Sequence, residues 1–202
     1  MAKYRNAKLK ILRRLGDLPG FTNKKPTSLK RANQHKAIKK KATQYGTRLE
    51  EKQKLRFNYG VTQKQLIKYV KQAKQSQGVT GNILLELLEM RLDNLIFRSG
   101  LAPTIPAARQ IIGHKHVTVN QNGVSIPSFQ CRVGDTLAIK DKANSKSLIQ
   151  QFLKSPIITN IPEHLNVNQN ELTAKIVSVI NRKSVDLKLN ELLVIEFYSR
   201  KV

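Results

Sequence analysis

Positive charge dominates this sequence and constrains what the chain can fold into. Lysine and arginine number 37 against 13 aspartate and glutamate, so the formal net charge is +24 at pH 7. A soluble domain needs only a few net charges, and self-repulsion of this size opposes a compact state. A polyanionic partner would offset the repulsion, and nucleic acid is the commonest one. The composition therefore predicts a nucleic-acid-binding protein.

The charge is concentrated toward the N-terminus. Residues 1–70 hold 20 of the 37 basic residues, and no acidic residue occurs between Asp17 and Glu50. Residues 1–46 also hold few large apolar side chains, so burial there cannot offset the entropy lost on ordering. We therefore predict a basic arm over residues 1–46 that becomes ordered on a polyanion. A solvated tail is the alternative interpretation.

Several classes of protein and site are excluded by what the sequence lacks. Cys131 is the single cysteine, which excludes an internal disulfide framework and a cysteine-based zinc site. The apolar runs are far shorter than a membrane span, and the first residues hold no apolar leader. No glycine-rich phosphate loop occurs, and His114 and His116 have no cysteine or carboxylate nearby. We expect no metal, no cofactor and no membrane partner.

Two capping boxes mark the first helix starts. Thr47 and Glu50 have the spacing of one, which predicts a helix from Thr47 to about Asn58. Thr62 and Gln65 form the second and open another helix. That helix turns an apolar face inward and a lysine face outward. The outward lysines are Lys64, Lys68, Lys71 and Lys74.

The next segments predict a buried helix followed by a shorter one. From Thr80 to Ile96, apolar residues cover most of a helical circumference, which predicts one continuous helix that ends before Gly100. Thr104 then has the position of an N-cap, and the short helix after it covers residues 105–112.

Short strands dominate the second half of the chain. Alternating β-branched residues predict a strand over residues 116–120, and Asn122-Gly123 is the strongest two-residue hairpin signal. A helix is predicted over residues 142–152 and a loop over residues 153–170. Further strands are predicted over residues 124–126, 131–133, 136–139 and 191–198. The fold class is therefore α+β: a basic arm, a helical N-domain, two short helices on a short-stranded antiparallel sheet, and a C-terminal strand.

Several motifs, in one order along the chain, resemble the small-subunit ribosomal protein S-four family. The matching stretches are residues 51–56 and 59–61 for its N-domain, 84–94, 107–110, 114–120 and 126–128 for its RNA-binding module, and 190–200 for its C-terminus. Residues 13–16 and 18–20 resemble the plastid branch. Three positions depart from the family pattern: Ile105 replaces a frequent basic residue, Gln121 displaces the usual turn, and Phe129 replaces a tyrosine.

The resemblance implies a domain organisation. The basic arm covers residues 1–46, and the helical N-domain covers residues 47–89 and is joined by residues 186–202. An S-four-type RNA-binding module follows over residues 90–152. Residues 153–202 form a linker and C-terminal segment.

The resemblance also implies a function. Such a protein is a structural constituent of the small ribosomal subunit that binds 16S-type ribosomal RNA directly and early in assembly. It lies beside ribosomal protein S-five where messenger RNA enters the subunit, and it contributes to translational accuracy. A plastid ribosome is the expected location, in agreement with the absence of a transit peptide at the start of the sequence.

One tripeptide raises the alternative of catalysis. Arg91, Leu92 and Asp93 repeat a sequence found in many pseudouridine synthases, whose aspartate attacks the substrate. In a continuous helix Arg91 and Asp93 cannot face each other, and no catalytic domain of adequate length follows. We interpret Asp93 as a helix-surface acid and expect no catalytic residue and no enzyme. A pseudouridine synthase and a stand-alone RNA chaperone, each with the same module, are the alternative functions.

The motif matches and the charge pattern together select the candidate RNA-binding residues. Among them, Arg109 has a planar guanidinium that can hold a phosphate through two hydrogen bonds, and Lys39, Lys40 and Lys41 are the candidates for contact with messenger RNA. The full set is Arg5, Lys8, Arg13, Arg14, Lys39, Lys40, Lys41, Lys52, Lys54, Arg56, Tyr59, Lys68, Arg91, Arg98, Thr104, Arg109, Gln110, His114, Lys115, His116 and Asn120.

Overall fold

Two hydrophobic cores organise the structure, a computed structural model that describes residues 6–24, 43–153 and 161–199. The helices are α1 (Lys8–Leu15), α2 (Gln44–Asn58), α3 (Gln63–Gln75), α4 (Thr80–Glu89), α5 (Leu92–Arg98), α6 (Ile105–Gly113), α7 (Ala143–Leu153) and α8 (Glu191–Ser199). The strands are β1 (Val117–Val119), β2 (Asn122–Gly123), β3 (Thr136–Ile139), β4 (Leu165–Asn168) and β5 (Thr173–Ile176), and a 3₁₀ turn covers Arg182–Ser184. The predicted α+β fold class is confirmed.

The first core belongs to a helical N-domain built from α1, α2, α3, α4 and α8. Leu55, Leu66 and Leu84 are fully buried in it, each on a different helix. The last helix, α8, contributes Val194 and Tyr198 and packs on α2 and α4. The C-terminal segment therefore completes the core that the preceding helices begin.

The N-terminal segment is part of this core, and the prediction that residues 1–46 form an arm outside it is wrong for residues 8–21. Helix α1 buries Ile11, Leu12 and Leu15 on one face, and Leu18 and Phe21 are buried after it. The apolar residues are few, but their helical spacing places them on one stripe. Residues 1–5 and 25–42 lie outside the described residues.

The helix starts agree with the sequence at one position and not at another. The capping box of Thr62 and Gln65 is present at the start of α3, as predicted. The predicted start at Thr47 is wrong, because Thr43 caps α2 and its hydroxyl accepts a hydrogen bond from the Gly46 amide at 3.1 Å. The Thr47 hydroxyl instead donates to the Thr43 carbonyl.

The predicted single helix over residues 80–96 is wrong, because the chain breaks into α4 and α5 at Arg91. Arg91 has an extended backbone (ψ 141°) and bridges to Gln130. The first amides of α5 are satisfied by the loop that follows the sheet hairpin: Leu92 donates to the Phe129 carbonyl and Asp93 to the Pro127 carbonyl. These partners lie more than thirty residues away, so local periodicity could not indicate the break.

The second core belongs to an α/β module in which α5, α6 and α7 cover one face of a five-stranded antiparallel sheet of order β2-β1-β3-β5-β4. Val117 and Val119 on β1 and Leu137 and Ile139 on β3 point into this core, while the residues between them face outward. The alternation is the pattern of a half-buried antiparallel sheet.

The sheet hairpin turns at a different place from the prediction. Asn120 and Gln121 both have positive φ (48° and 68°), and Val119 pairs with Asn122, so residues 120–121 form the turn. The Asn120 side chain stabilises it by donating to Asp135 and accepting from the Thr136 amide. Asn122-Gly123 therefore belongs to β2, and the strands predicted over residues 124–126 and 131–133 are absent from this described stretch.

Two C-terminal predictions are also wrong. Residues 191–198 form helix α8 rather than a strand, because Val194, Phe197 and Tyr198 recur at helical spacing and face the N-domain core. The segment predicted as a loop contains β4 over residues 165–168, and β5 follows it, so the sheet extends into the predicted linker. Residues 154–160 lie outside the part of the chain that the structure describes.

Gly20 permits a close approach of the N-terminal segment to the end of α2 and the start of α6. Its carbonyl accepts from the Ile105 amide at 2.9 Å, and its amide donates to the Asn58 side chain at 3.0 Å. A Cβ atom on Gly20 would lie 2.6 Å from Ile105 Cδ1 and 2.8 Å from the Asn58 carbonyl oxygen. No side chain fits there without movement of the α2 end or the α6 start.

We therefore expect Gly20→Ala to destabilise the protein by about 1–3 kcal/mol, the usual cost of overpacking. At roughly 2–4 °C per kcal/mol for a chain of this size, calorimetry should resolve the change. Gly113→Ala is the matched control, since a Cβ atom there meets nothing within 4 Å. Equal melting temperatures for the two variants would contradict the proposed close contact.

Buried His164 predicts acid sensitivity. Its side chain is buried, and neither ring nitrogen has a hydrogen-bond partner among the described residues. Burial lowers the pKa of His164, and nearby Arg98 acts in the same direction while Glu89 opposes it. The unfolded imidazole takes up a proton near its ordinary pKa of about 6.5, whereas the folded one does so only at lower pH, so stability falls as pH drops below about 6.5.

Replacing His164 by phenylalanine should remove this contribution. The melting temperature of His164→Phe should fall less between about pH 7.5 and pH 5 than that of the unchanged protein. His114→Gln, at an exposed position, is the control. If both variants keep the full acid sensitivity of the unchanged protein, His164 does not cause it.

Candidate nucleic-acid interface

Helix α3 presents a basic face without any acidic residue. Leu66, Val70 and Ala73 are buried on its inner side. The opposite side carries four exposed lysines, which we call the α3 lysine face: Lys64, Lys68, Lys71 and Lys74. They recur at intervals of three or four residues, so they lie on one stripe of the helix. A single-sign stripe of this kind suits contact with phosphates.

A second polar and basic surface lies on the module, where α6 passes into β1. Gln110, His114 and Lys115 are exposed, and Lys115 has a left-handed backbone with φ 62°. Exposed Lys140 lies beside them, because its amide donates to the His116 carbonyl at 2.8 Å. We call Gln110, His114, Lys115 and Lys140 the module surface. His116 is half-buried, with Nδ1 2.9 Å from the Ser145 hydroxyl.

Other candidates on the N-domain are partly engaged. Arg13 and Arg14 are exposed in the last turn of α1. Lys8 donates to the Phe21 carbonyl and lies over the Phe21 ring, and partial burial, helped by Lys24, lowers the pKa of Lys8.

Two candidate basic residues of α2, Lys54 and Arg56, have partners within the same helix. Lys54 pairs with Glu51 at 2.6 Å, and the Arg56 guanidinium approaches Gln53 at 3.4 Å. Both side chains remain partly exposed, so neither is withdrawn from solvent. Arg5, Lys39, Lys40 and Lys41 lie outside the described residues.

Four of the predicted RNA-binding residues are buried, which argues against direct contact of their side chains with RNA. Tyr59, Arg91, Arg98 and Lys52 are each less than 7% exposed. The Tyr59 hydroxyl donates to Glu89 at 2.5 Å, and burial, reinforced by the Glu89 charge, raises the pKa of Tyr59 well above its ordinary value. The Lys52 ammonium lies 4.8 Å from the centre of the Phe197 ring on α8. RNA cannot reach these side chains without a rearrangement.

Arg91 and Asp93 face each other, contrary to the prediction. Because Arg91 is extended rather than helical, its Nε and Nη2 donate to the two Asp93 carboxylate oxygens at 3.0 and 2.8 Å. A third bond joins Arg91 Nη1 to the Tyr69 hydroxyl on α3 at 2.6 Å. Asp93 is only 1% exposed, so it is a buried ion-pair partner and not a helix-surface acid.

Arg109 is held inside the protein rather than offered to a phosphate. Its Nε donates to Asp93 at 2.7 Å, and its Nη1 and Nη2 donate to the Gly60 and Tyr59 carbonyls. The side chain is 24% exposed, but its guanidinium is committed to three internal acceptors. These internal bonds argue against the predicted contact of Arg109 with a phosphate through two hydrogen bonds. Thr104 caps α6 as predicted, accepting from the Ala107 amide.

Glu89 forms the centre of a second buried cluster beside the first. Its carboxylate accepts from the Tyr59 hydroxyl, from the Asn94 side-chain amide and from Arg98, whose Nη2 lies at 3.0 Å. Arg98 also pairs with Asp186 of the C-terminal segment. Although burial acts to lower it, the pKa of Arg98 is raised, chiefly by the charge of Glu89. The cluster keeps Arg98 charged and internally satisfied.

The described residues contain little that suggests other chemistry. No three histidine, cysteine, aspartate or glutamate side chains come together in the described ranges. Burial, assisted by Asp135, raises the pKa of the Cys131 thiol to about 12, so the thiol stays protonated at neutral pH. Among the helices that the structure describes, none is long and apolar enough to cross a membrane.

Comparison with known proteins confirms the resemblance found in the motifs. A family model described as "Ribosomal protein S4/S9 N-terminal domain" matches residues 3–89, and one described as "S4 domain" matches residues 90–137. The chain is 60% identical over 202 residues to small ribosomal subunit protein uS4c of Emiliania huxleyi, 56% over 205 residues to uS4 of a Cyanothece species, and 52% over 201 residues to uS4c of Rhodomonas salina. Each match covers 100% of both chains.

The buried ion pair of Arg91 and Asp93 should contribute strongly to the stability of the fold. Asp93→Asn leaves the Arg91 guanidinium, 2% exposed, without its counter-charge. Breaking a buried pair in this way costs about 3–5 kcal/mol, which should lower the denaturation midpoint strongly. Asp141→Asn, which removes an exposed pair with Lys146, should leave the midpoint unchanged. A small effect at Asp93 would show that the pair does not hold the fold together.

Proposed function

Since the chain belongs to the small-subunit ribosomal protein S-four family, we propose that it is a structural constituent of the small ribosomal subunit that binds small-subunit ribosomal RNA directly. Its binding early in assembly and a contribution to translational accuracy belong to the same proposal. The observation that carries the proposal is the α3 lysine face: one helix has four exposed lysines and contains no acidic residue.

Physical chemistry supports RNA as the partner. Structured RNA is recognised largely through its shape, its phosphates and its 2′-hydroxyls, which suits dispersed lysines rather than one deep pocket. The α3 lysine face provides such groups on one helix, and the module surface provides them where α6 passes into β1. The buried acids Glu89 and Asp93 neutralise internal arginines, so they do not oppose phosphates at the surface.

The proposal extends to neighbours and location. We place the chain beside ribosomal protein S-five, where messenger RNA enters the subunit, with Lys39, Lys40 and Lys41 as the candidates for messenger contact. A plastid ribosome is the proposed location, because two of the relatives named above are uS4c proteins of algae. The cyanobacterial relative is almost as similar.

The alternative of a pseudouridine synthase is disfavoured by Asp93. An attacking aspartate must reach the substrate base, but Asp93 is 1% exposed and both of its oxygens accept bonds from arginines. We therefore propose that the chain is not an enzyme and that the 91–93 tripeptide serves the fold.

Charge removal on α3 tests the proposed function. Replacing Lys64, Lys68, Lys71 and Lys74 together by glutamine should weaken binding to a small-subunit RNA fragment. It should also flatten the plot of log affinity against log salt by roughly 0.7–0.9 for each phosphate that the protein no longer neutralises. Because these side chains are exposed, the melting temperature should change little.

The control removes the same charge from scattered exposed positions. It replaces Lys24, Lys146, Lys175 and Lys188 by glutamine. If net charge alone drives binding, the two variants weaken it equally, and the α3 lysine face is not the interface. An affinity of the unchanged protein that hardly moves between about 50 and 200 mM salt would contradict phosphate binding altogether.

A further inference from the structure

The α3 lysine face and the module surface are joined to each other through a chain of buried and half-buried side chains. Tyr69, on α3 between the lysines, accepts from Arg91. Arg91 pairs with Asp93, and Asp93 also accepts from Arg109 on α6. Gln110 of the module surface directly follows Arg109. The link therefore runs without a gap from the α3 lysine face to the module surface.

The geometry of this link fixes an angle as well as a distance. The guanidinium of Arg91 meets Asp93 through two parallel bonds, an arrangement that permits one relative orientation. Arg91 and Asp93 are at most 2% exposed, so water does not compete for these bonds. Burying the charges costs several kcal/mol each, which apolar residues of similar volume would avoid.

Arg109 also contacts the backbone just before α3, which strengthens the same link. Arg109 donates to the Gly60 and Tyr59 carbonyls at the turn that leads into α3. Gly60 has φ 59°, and a Cβ atom on it would lie 2.8 Å from Arg109 Nη1. The turn therefore both leaves room for the guanidinium and supplies its acceptors, so α6 is held against the start of α3.

We propose that Asp93, Arg91 and Arg109 are positioning residues for RNA binding: they hold the α3 lysine face and the module surface at the angle at which one structured RNA contacts both. This inference rests on the proposed function. Two surfaces held rigidly bind one ligand far more tightly than either alone, because the second contact forms at high effective concentration. The network then contributes to affinity although none of its members touches RNA.

Two substitutions cut the link at its ends and leave its central ion pair in place. Tyr69→Phe removes the hydroxyl on α3, and Arg109→Met removes the guanidinium on α6. Asp93 keeps Arg91 as its partner in this double variant, the junction variant, so no buried charge is orphaned and the protein should fold. The matched control is Tyr198→Phe with Arg48→Met, which removes a hydroxyl bonded to Gln63 and an arginine bonded to Glu196 within the N-domain alone.

Affinity should be measured for two RNAs with the full chain. One is a small-subunit RNA fragment that contains a multi-helix junction, and the other is a hairpin of about eight base pairs, half the span of a double-stranded RNA-binding domain. We expect the affinity of the junction variant to fall about tenfold or more on the fragment and less than about twofold on the hairpin. The affinity of the control variant should fall less than about twofold on both.

A distance measurement separates positioning from general destabilisation. In a Cys131→Ser background, spin labels at Gln72→Cys and Pro106→Cys, exposed positions on α3 and α6 outside the two surfaces, report the separation of the helices by pulsed electron resonance. The distribution should be narrow in the protein with an intact link and broad in the junction variant, and it should narrow again when the fragment binds.

Three results would overturn the positioning role. They are an unchanged distance distribution, a broadened distribution with unchanged affinity for the fragment, and an equal fall in affinity for both RNAs. A different result addresses the proposed function itself: if the unchanged protein binds neither RNA, that function fails and the positioning role fails with it.

Discussion

The buried carboxylate of Asp93 is the interaction on which the rest of the structure depends. It accepts bonds from Arg91 and Arg109, and through them it connects α3, α5, α6 and the turn at Gly60. Arg91 can reach Asp93 only because its backbone is extended, so the ion pair and the break between α4 and α5 require each other. The break in turn exposes the first amides of α5, which the Pro127 and Phe129 carbonyls satisfy. One carboxylate thus determines helix boundaries, loop placement and the contact between the two cores.

The distribution of the few acids explains how so basic a chain folds and still presents a positive surface. Glu89 and Asp93 are buried, and each is bonded to an arginine. They neutralise part of the positive charge in the interior, where an unpaired charge would be costly to bury. Helix α3 contains no acid, and its lysines remain solvated. The mutual repulsion of these surface lysines is the repulsion that a bound polyanion would reduce. The same 13 acids spread evenly would give a weaker field at α3 and an unpaired core.

Two local signals correctly predicted parts of the fold whose causes are local. The capping box at Thr62 and the cap at Thr104 depend on side chains within a single turn, and both are present as predicted. The break at Arg91 and the strand β4 depend on partners far along the chain, which periodicity does not contain. Charge counting misjudged residues 8–21 because a net charge says nothing about the spacing of the apolar side chains that α1 and the turn after it bury. In α8 most residues are apolar, so the sequence alone does not indicate which of them face the core at helical spacing.

The candidate site shows the same division between local and long-range causes. Sequence cannot distinguish an arginine that binds phosphate from one that binds aspartate, because both need the same guanidinium. Tyr59, Arg91 and Arg109 lie in stretches that match the family, Arg98 is a further candidate, and all four lie in the network between the cores. The lysines of α3 follow from periodicity alone, and they are exposed. In this chain several motif residues are buried in the contact between the two cores, whereas the lysines of the α3 stripe are exposed. The buried motif residues therefore bear on the angle between α3 and α6, whereas the exposed residues of the α3 lysine face and the module surface are the ones proposed to contact RNA.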